Sequence, residues 1–416
     1  MTLSPRRAGA PSLLAMATTG LLLTGLLLTG ACSLLAPTAP ELADAKVTAT
    51  YPLDGVVIGE VDGVDIRDGG YSSLAIAPGG ATWVTTDRGP NLEAQARVGA
   101  AAKRFPIPDY TPAAERIAVD GDGIAVREQR RYLLPDGRAA TGLPIPTRDP
   151  NIAVELAYGP DFAELGHDGF GMDAEGLTFD AAGDMWVSEE YRPSIWHFGG
   201  ATGRLLERYT PTPVAPYDHP LPAWLLQRAP NLGIEGIAHV DGYVYAALQG
   251  PLQPPGGDRT TRITRILRLD TRSREVVSYA YALEGSTRKI GDLAIAPDGR
   301  LLVLEHGLIP GRGWSAEVYA IQRGRMAQLT DGGLPPERFR DPESALIGGV
   351  SIAPKTLYVD LLAAGWDPAW EKPEGLAVAA DSTLLLVNDN DYGLVSPGAD
   401  GRATATGVGT FLVEVR

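Results

Sequence analysis

Residues Asp292-Leu-Ala-Ile-Ala-Pro-Asp-Gly-Arg-Leu-Leu-Val-Leu-Glu-His306 decide how this chain folds. Two short apolar runs flank a Pro-Asp-Gly turn signal, which predicts a tight antiparallel hairpin. The phrase recurs with its first residue at Ser73, Glu175, Glu235 and Glu374, each time followed by a turn and a second apolar run. The second runs include Ala81-Thr-Trp-Val-Thr, Asp184-Met-Trp-Val-Ser, Tyr243-Val-Tyr-Ala-Ala and Thr383-Leu-Leu-Leu-Val. Further strand-like segments follow in most units, and long helical periodicity is hard to find anywhere. A phrase repeated at this spacing is the mark of a repeat architecture. The expectation is an all-β chain folded as a β-propeller of about six blades, with seven as the alternative. The segment 116–160 is the candidate for a degenerate blade in the wide gap after Ser73. The final run Thr410-Phe-Leu-Val-Glu-Val is expected to pair near Val56-Val57-Ile58 and close the ring. A pair of β-sandwiches would leave the recurring phrase without a reason.

The chain has 416 residues, 44% hydrophobic and 21% charged, a composition that excludes disordered and collagen-like classes. A formal net charge of −15 repels polyanions, so nucleic acid is not expected as a partner. Cys32 is the only cysteine, which rules out a disulfide framework, a cysteine-based zinc site and a catalytic thiol in the body. Residues 1–31 read as a signal peptide: Arg6 and Arg7, apolar runs at 13–16 and 21–28, then Gly30-Ala31 before the cysteine. That ending is similar to a lipobox, although Thr29 stands where leucine is usual. Cys32 would then carry lipid and anchor an exported protein at the cell envelope, on its periplasmic or extracellular face. Residues 32–50, rich in proline and alanine, read as a tether, and 51–416 as one propeller domain, expected to be a monomer.

In a propeller the innermost strands line a central channel, so the first residue of each phrase falls on a ring. Glu175, Glu235, Asp292 and Glu374 would converge there, and like charges so close need compensation. A hard cation such as Ca²⁺, coordinated by these four and by Asp389, is one remedy; capping of turns is the other. The ends of the second strands carry Asp87-Arg88, Glu189-Glu190-Tyr191-Arg192, Glu305-His306 and Asn388-Asp389-Asn390-Asp391. Strand-end loops are where a rigid scaffold places binding groups. Arg88, Arg192, Lys289 and His306 would neutralise a small anionic or ester substrate, and Glu190 or Asp87 would position water. No Gly-x-Ser-x-Gly elbow, His-Glu-x-x-His or phosphate-binding Gly-Lys-Ser/Thr loop occurs. His167, His197, His219 and His239 read as packing or surface residues.

Taken together, Thr86-Asp-Arg-Gly-Pro-Asn91, Glu175-Gly-Leu, Ser188-Glu-Glu-Tyr-Arg-Pro193, Asn231-Leu-Gly-Ile-Glu235-Gly, Lys372-Pro-Glu-Gly375 and Asn388-Asp-Asn-Asp-Tyr-Gly393 resemble the bacterial "esterase-like activity of phytase" family. The resemblance spans almost all of 51–416. It implies a propeller in an exported, often lipid-anchored protein with a phosphoesterase or esterase activity. Two other readings stand beside it: a lactonase of the gluconolactonase type, and a non-catalytic envelope protein that binds a ligand or partner.

Overall fold

The computed structural model describes residues 40–95, 101–146, 155–309, 313–330, 332–398 and 400–416. The signal peptide and Cys32 lie outside these residues. The body is built from five four-stranded antiparallel sheets. The first comprises Tyr71–Ile76, Thr82–Thr86, Ala113–Asp120 and Gly123–Arg131; the second Ala174–Phe179, Met185–Glu189, Ser194–Phe198 and Leu205–Thr210, extended by Asp218–Pro220. The third comprises Ile234–Val240, Tyr243–Leu248, Ile263–Asp270 and Val276–Ala282; the fourth Arg288–Ile295, Leu301–Ile309, Gly313–Ile321 and Lys355–Asp360. The fifth takes Lys372–Val378, Leu384–Asp389 and Phe411–Val415 from the end of the chain and Val47–Pro52 from its beginning.

The cores explain why these apolar runs are continuous rather than alternating. Neighbouring residues on a strand point to opposite faces, and here both faces are covered. Leu301 and Val303 pack with Tyr245 and Ile266 of the third sheet, whereas Leu302 and Leu304 pack with Leu384 and Leu386 of the fifth. Leu385 and Val387 turn the other way, onto Leu74 and Val84 of the first sheet. The first and second sheets enclose Trp83, Leu177 and Val187; the second and third enclose Ile195, Ile237 and Val244. Every sheet is thus sandwiched between two others, and the first strands pack in a closed cycle. That is the arrangement of a β-propeller, in which five inner strands surround one axis.

The recurring phrase now has a steric reason. A Cβ at Gly176 would sit 2.5 Å from the Glu235 carbonyl oxygen, and one at Gly236 would sit 2.6 Å from the Asp292 backbone. The glycine after Glu175, Glu235 and Glu374 is what lets adjacent inner strands approach at the axis.

Three expectations need correction. The five phrases start the five four-stranded sheets, and the described residues form no sixth sheet of that size. Gly123–Arg131, assigned to a degenerate blade, is the outer strand of the first sheet, and Leu156–Tyr158 joins a small sheet with Ala101–Arg104 and Leu92–Gln95. The long gap after Ser73 is therefore an insertion. The closing strand is Val47–Pro52, with Thr50 opposite Val413 and Tyr51 opposite Leu412; Val56 is exposed, and Val57–Val61 forms a separate hairpin. The residues read as tether also enter the body. Glu41 and Leu42 donate backbone hydrogen bonds to Leu357 and Tyr358, and Ala45 is buried.

Gly236→Ala is expected to destabilise the fold by about 1–3 kcal/mol through overpacking at the axis. Gly79→Ala, where a Cβ meets nothing within 4 Å, is the control. Equal melting temperatures for the two variants in thermal denaturation would refute the steric reading of the phrase.

Candidate active site

The inner strands begin, and the second strands end, at the same end of the channel. The registers fix this: Ala174 lies opposite Glu189, Ile234 opposite Leu248, Lys289 opposite His306 and Lys372 opposite Asp389. Glu175, Glu235 and Glu374 are all buried there, as are Glu190 and Arg88 from the strand-end loops. One carboxylate oxygen each of Asp173, Glu175 and Glu190 lies within 4.8 Å of the others. Glu235 continues the cluster: Gln249 donates to its Oε1 at 2.6 Å, while Oε2 is buried without a hydrogen-bond partner. Glu190 Oε1 accepts from the Gly233 backbone at 3.1 Å.

The Arg88 guanidinium is tied into this cluster. It donates to Asn231 Oδ1 at 2.6 Å and Glu155 Oε1 at 3.2 Å, and its Nη1 lies 3.2 Å from Asp173 Oδ2. Asp87 sits beside it, its Oδ1 accepting from the Gly89 backbone at 2.7 Å. Across the channel, Lys372 bridges Asp389 and Asp391, and Lys289 is among the charges felt by Glu235, Glu374 and His306.

Burial dominates the electrostatics. It pushes the Glu175 and Glu235 carboxyls well above the ordinary range, and neighbouring carboxylates push them further. Asp87 is driven up in the same way, by burial and then by Asp173 and Asp389. Glu374 rises to about 8, with burial the largest cause and Lys372 pulling the other way. Asp173 and Asp389 each rise to about 6, again mainly by burial. His306 goes down to about 3, because burial and then Lys289 and Lys372 disfavour its cation. Its imidazole is neutral at physiological pH, and its Nε2 is buried without a partner. The carboxyl groups at this end of the channel thus outnumber the cationic side chains Arg88, Lys289 and Lys372, and burial favours their protonated forms.

Two expected site residues belong elsewhere. Asp292 accepts from Ser73 Oγ at 2.8 Å and from the Leu293 and Leu376 backbones at 2.8 and 3.0 Å. Its oxygens are committed to joining three inner strands, which leaves little for a cation, and burial holds its carboxyl at about 8. The charged neighbours of Arg192 are Glu189, Arg208 and Asp218, on the outward side of the second sheet. Asp389 stays at the site, but its charge is met by Lys372. Asp173 and Lys372 were missed as site residues. Each lies two positions before a channel glutamate in the sequence, and that spacing was the available signal.

The family whose pattern matches this chain is described as phytase-like, "esterase-like activity of phytase", and the match covers residues 66–392. No curated protein matches the chain significantly. Among solved structures, glutaminyl cyclase of Myxococcus xanthus is 10% identical, covering 89% of this chain and 95% of its own, with a TM-score of 0.38. The PQQ-bound aldose sugar dehydrogenase of Streptomyces coelicolor is 13% identical, covering 92% and 100%, with a TM-score of 0.34. Virginiamycin B lyase of Staphylococcus aureus is 11% identical, covering 83% and 94%, with a TM-score of 0.29. Likenesses this distant assign no substrate. The family match spans the ring from the first sheet to the channel acids of the fifth, and the chain belongs to the phytase-like family.

Proposed function

We propose that the channel site binds a divalent cation, Ca²⁺ by its donor chemistry, and hydrolyses phosphate or other ester bonds of a small substrate. The observation that carries this reading is the convergence of Asp173, Glu175 and Glu190 within 4.8 Å, next to the unpartnered Glu235 Oε2. The donors are all hard oxygens, which suit Ca²⁺ rather than a softer ion. Asp173, Glu175, Glu190 and Glu235 would hold the cation; Asp292 is not among them. A bound cation supplies charge neutralisation and polarisation of an ester oxygen and of water. Arg88, held in place by Asn231 and Glu155, orients an anionic group from the rim. Lys289 offsets charge developing on the far wall. Asp87, with its proton affinity raised by burial, is the group assigned to exchange a proton with water or substrate. His306 is too weak a base for that step, and its free Nε2 accepts a hydrogen bond from water or a substrate hydroxyl.

One observation favours a second reading. Arg88 already directs both terminal nitrogens to Asp173, Glu155 and Asn231, which leaves only its buried Nε for a phosphate. A neutral ester or lactone would need no free arginine. Screening phosphate monoesters against lactones with the loaded protein separates the two, and turnover of neither supports a binding protein. Export and lipid anchoring through Cys32 are part of the proposal. Cys32→Ser is expected to move the protein from the membrane fraction to the soluble exported fraction, and unchanged fractionation would refute the anchor.

Ca²⁺ is expected to raise the melting temperature of chelator-treated protein, because it binds only the folded state. Glu235→Gln should abolish that rise, and an undiminished rise would remove Glu235 from the site. The metal-free protein should also lose stability as pH rises from about 5 to 8. Carboxyls whose folded-state pKa lies above the unfolded one bind more protons when folded. Stability present below the ordinary carboxyl range is then lost as pH climbs through about 6 to about 8. Saturating Ca²⁺ should flatten this slope; melts that are flat without metal would refute the raised proton affinity of the buried carboxyls.

A further inference from the structure

The second sheet carries another polar cluster at the opposite end of its inner strand. Asp180 and Asp184 lie in the turn joining Ala174–Phe179 to Met185–Glu189, and His197 lies on the third strand, opposite Trp186. One oxygen of each aspartate and one His197 nitrogen lie within 4.8 Å of one another. His197 Nε2 is 3.8 Å from Asp180 Oδ2 and 3.8 Å from Asp184 Oδ2. Those separations are too long for hydrogen bonds and too short for water-separated charges. Both ring nitrogens of His197 are buried, and neither has a hydrogen-bond partner. Buried polar atoms left so are rare and costly, and an unseen partner is the ordinary explanation.

The surroundings hold these three groups in place. The His197 ring stacks on Trp186, centroids 4.1 Å apart and planes 10° off parallel. Asp180 Oδ1 accepts from the Ala182 and Asp184 backbones at 2.9 and 3.0 Å, and its Oδ2 accepts from Trp186 Nε1 at 3.3 Å. Asp184 Oδ1 accepts from the Gly200 backbone at 2.7 Å, which turns Oδ2 toward the imidazole. On the other side of the ring, Nδ1 faces Glu207 Oε2 at 4.0 Å, beyond hydrogen-bond reach, and that oxygen accepts from Tyr209 Oη at 3.0 Å. Burial lowers the His197 pKa, against the opposing pull of Asp184, Asp180 and Glu207. His239, on the first strand of the third sheet, has Asp180 and His197 among its charged neighbours.

We infer that Asp180, Asp184 and His197 form a binding site for one borderline divalent cation of the Zn²⁺ class. A mixed imidazole and carboxylate set suits such an ion better than Ca²⁺. The site is distinct from the channel: Asp180 stands five residues along the strand from Glu175, about 16 Å at 3.3 Å per residue. A cation here pins the turn of the second sheet to its third strand.

The test is calorimetric titration of Zn²⁺ into the chelator-stripped full chain, in excess Ca²⁺ so that the channel carboxylates are occupied. One equivalent is expected to bind, and Cu²⁺ should quench a tryptophan signal that Trp186→Phe removes. Asp184→Asn, which retains the Oδ1 acceptor for Gly200, and His197→Gln should each weaken Zn²⁺ binding about tenfold or more. Both should keep the Ca²⁺-linked rise in melting temperature, which shows that they fold. Wild-type affinity in either folded variant, no Zn²⁺ uptake by the wild type, or an equivalent lost in Glu175→Gln instead would overturn the site.

Discussion

The close approach of five inner strands around one axis is the constraint on which the rest of this molecule depends. Only glycine fits where Gly176 meets the Glu235 carbonyl and Gly236 meets the Asp292 backbone. Once the strands are that close, the residue before each glycine is forced toward the axis with its counterparts on neighbouring strands. Packing thus gathers the carboxylates, and their mutual repulsion follows from sterics rather than from any attraction among them.

The protein resolves that repulsion differently from position to position. Asp292 is met by a serine hydroxyl and backbone N–H groups of adjacent strands, so a buried acid becomes a fastening between them. Asp389 is met by Lys372. Glu235 keeps one buried oxygen without a partner, and Asp173, Glu175 and Glu190 crowd together with Arg88 as their one close cation. Resting structure needs every buried polar group answered; a site needs some left unanswered. The unanswered oxygens lie on one side of the channel, toward the second and third sheets, and chemistry is concentrated there.

Much of this was legible in the chain. Turn signals and apolar runs report local hairpins, and those formed where the phrase predicted them. The convergence of Glu175, Glu235 and Glu374 followed from the same repeat. Blade number was not legible from spacing, because the length between Ser73 and Glu175 does not reveal whether it makes a blade or a side sheet. The closing strand was also misplaced. Val56-Val57-Ile58 has the stronger β-propensity, but Val47–Pro52 makes the pairing, and propensity yields to the partner at hand. Asp292 and Glu235 share one motif position, yet one is satisfied and the other is not. That difference comes from Ser73 and from the backbone of the fifth sheet, partners that no local pattern displays.

The fifth sheet joins strands from the two extremities of the body, with Val47 opposite Val415. This makes assembly vectorial. As the chain emerges from its N-terminus, Val47–Pro52 appears first and must wait for a partner that appears last. The first four sheets can form in order, but their ring stays open until Phe411–Val415 arrives between Leu384–Asp389 and Val47–Pro52. The closed state is therefore out of reach until Phe411–Val415 has been made. Loss of that strand would leave the edges of Leu384–Asp389 and Val47–Pro52 exposed and the ring unable to lock.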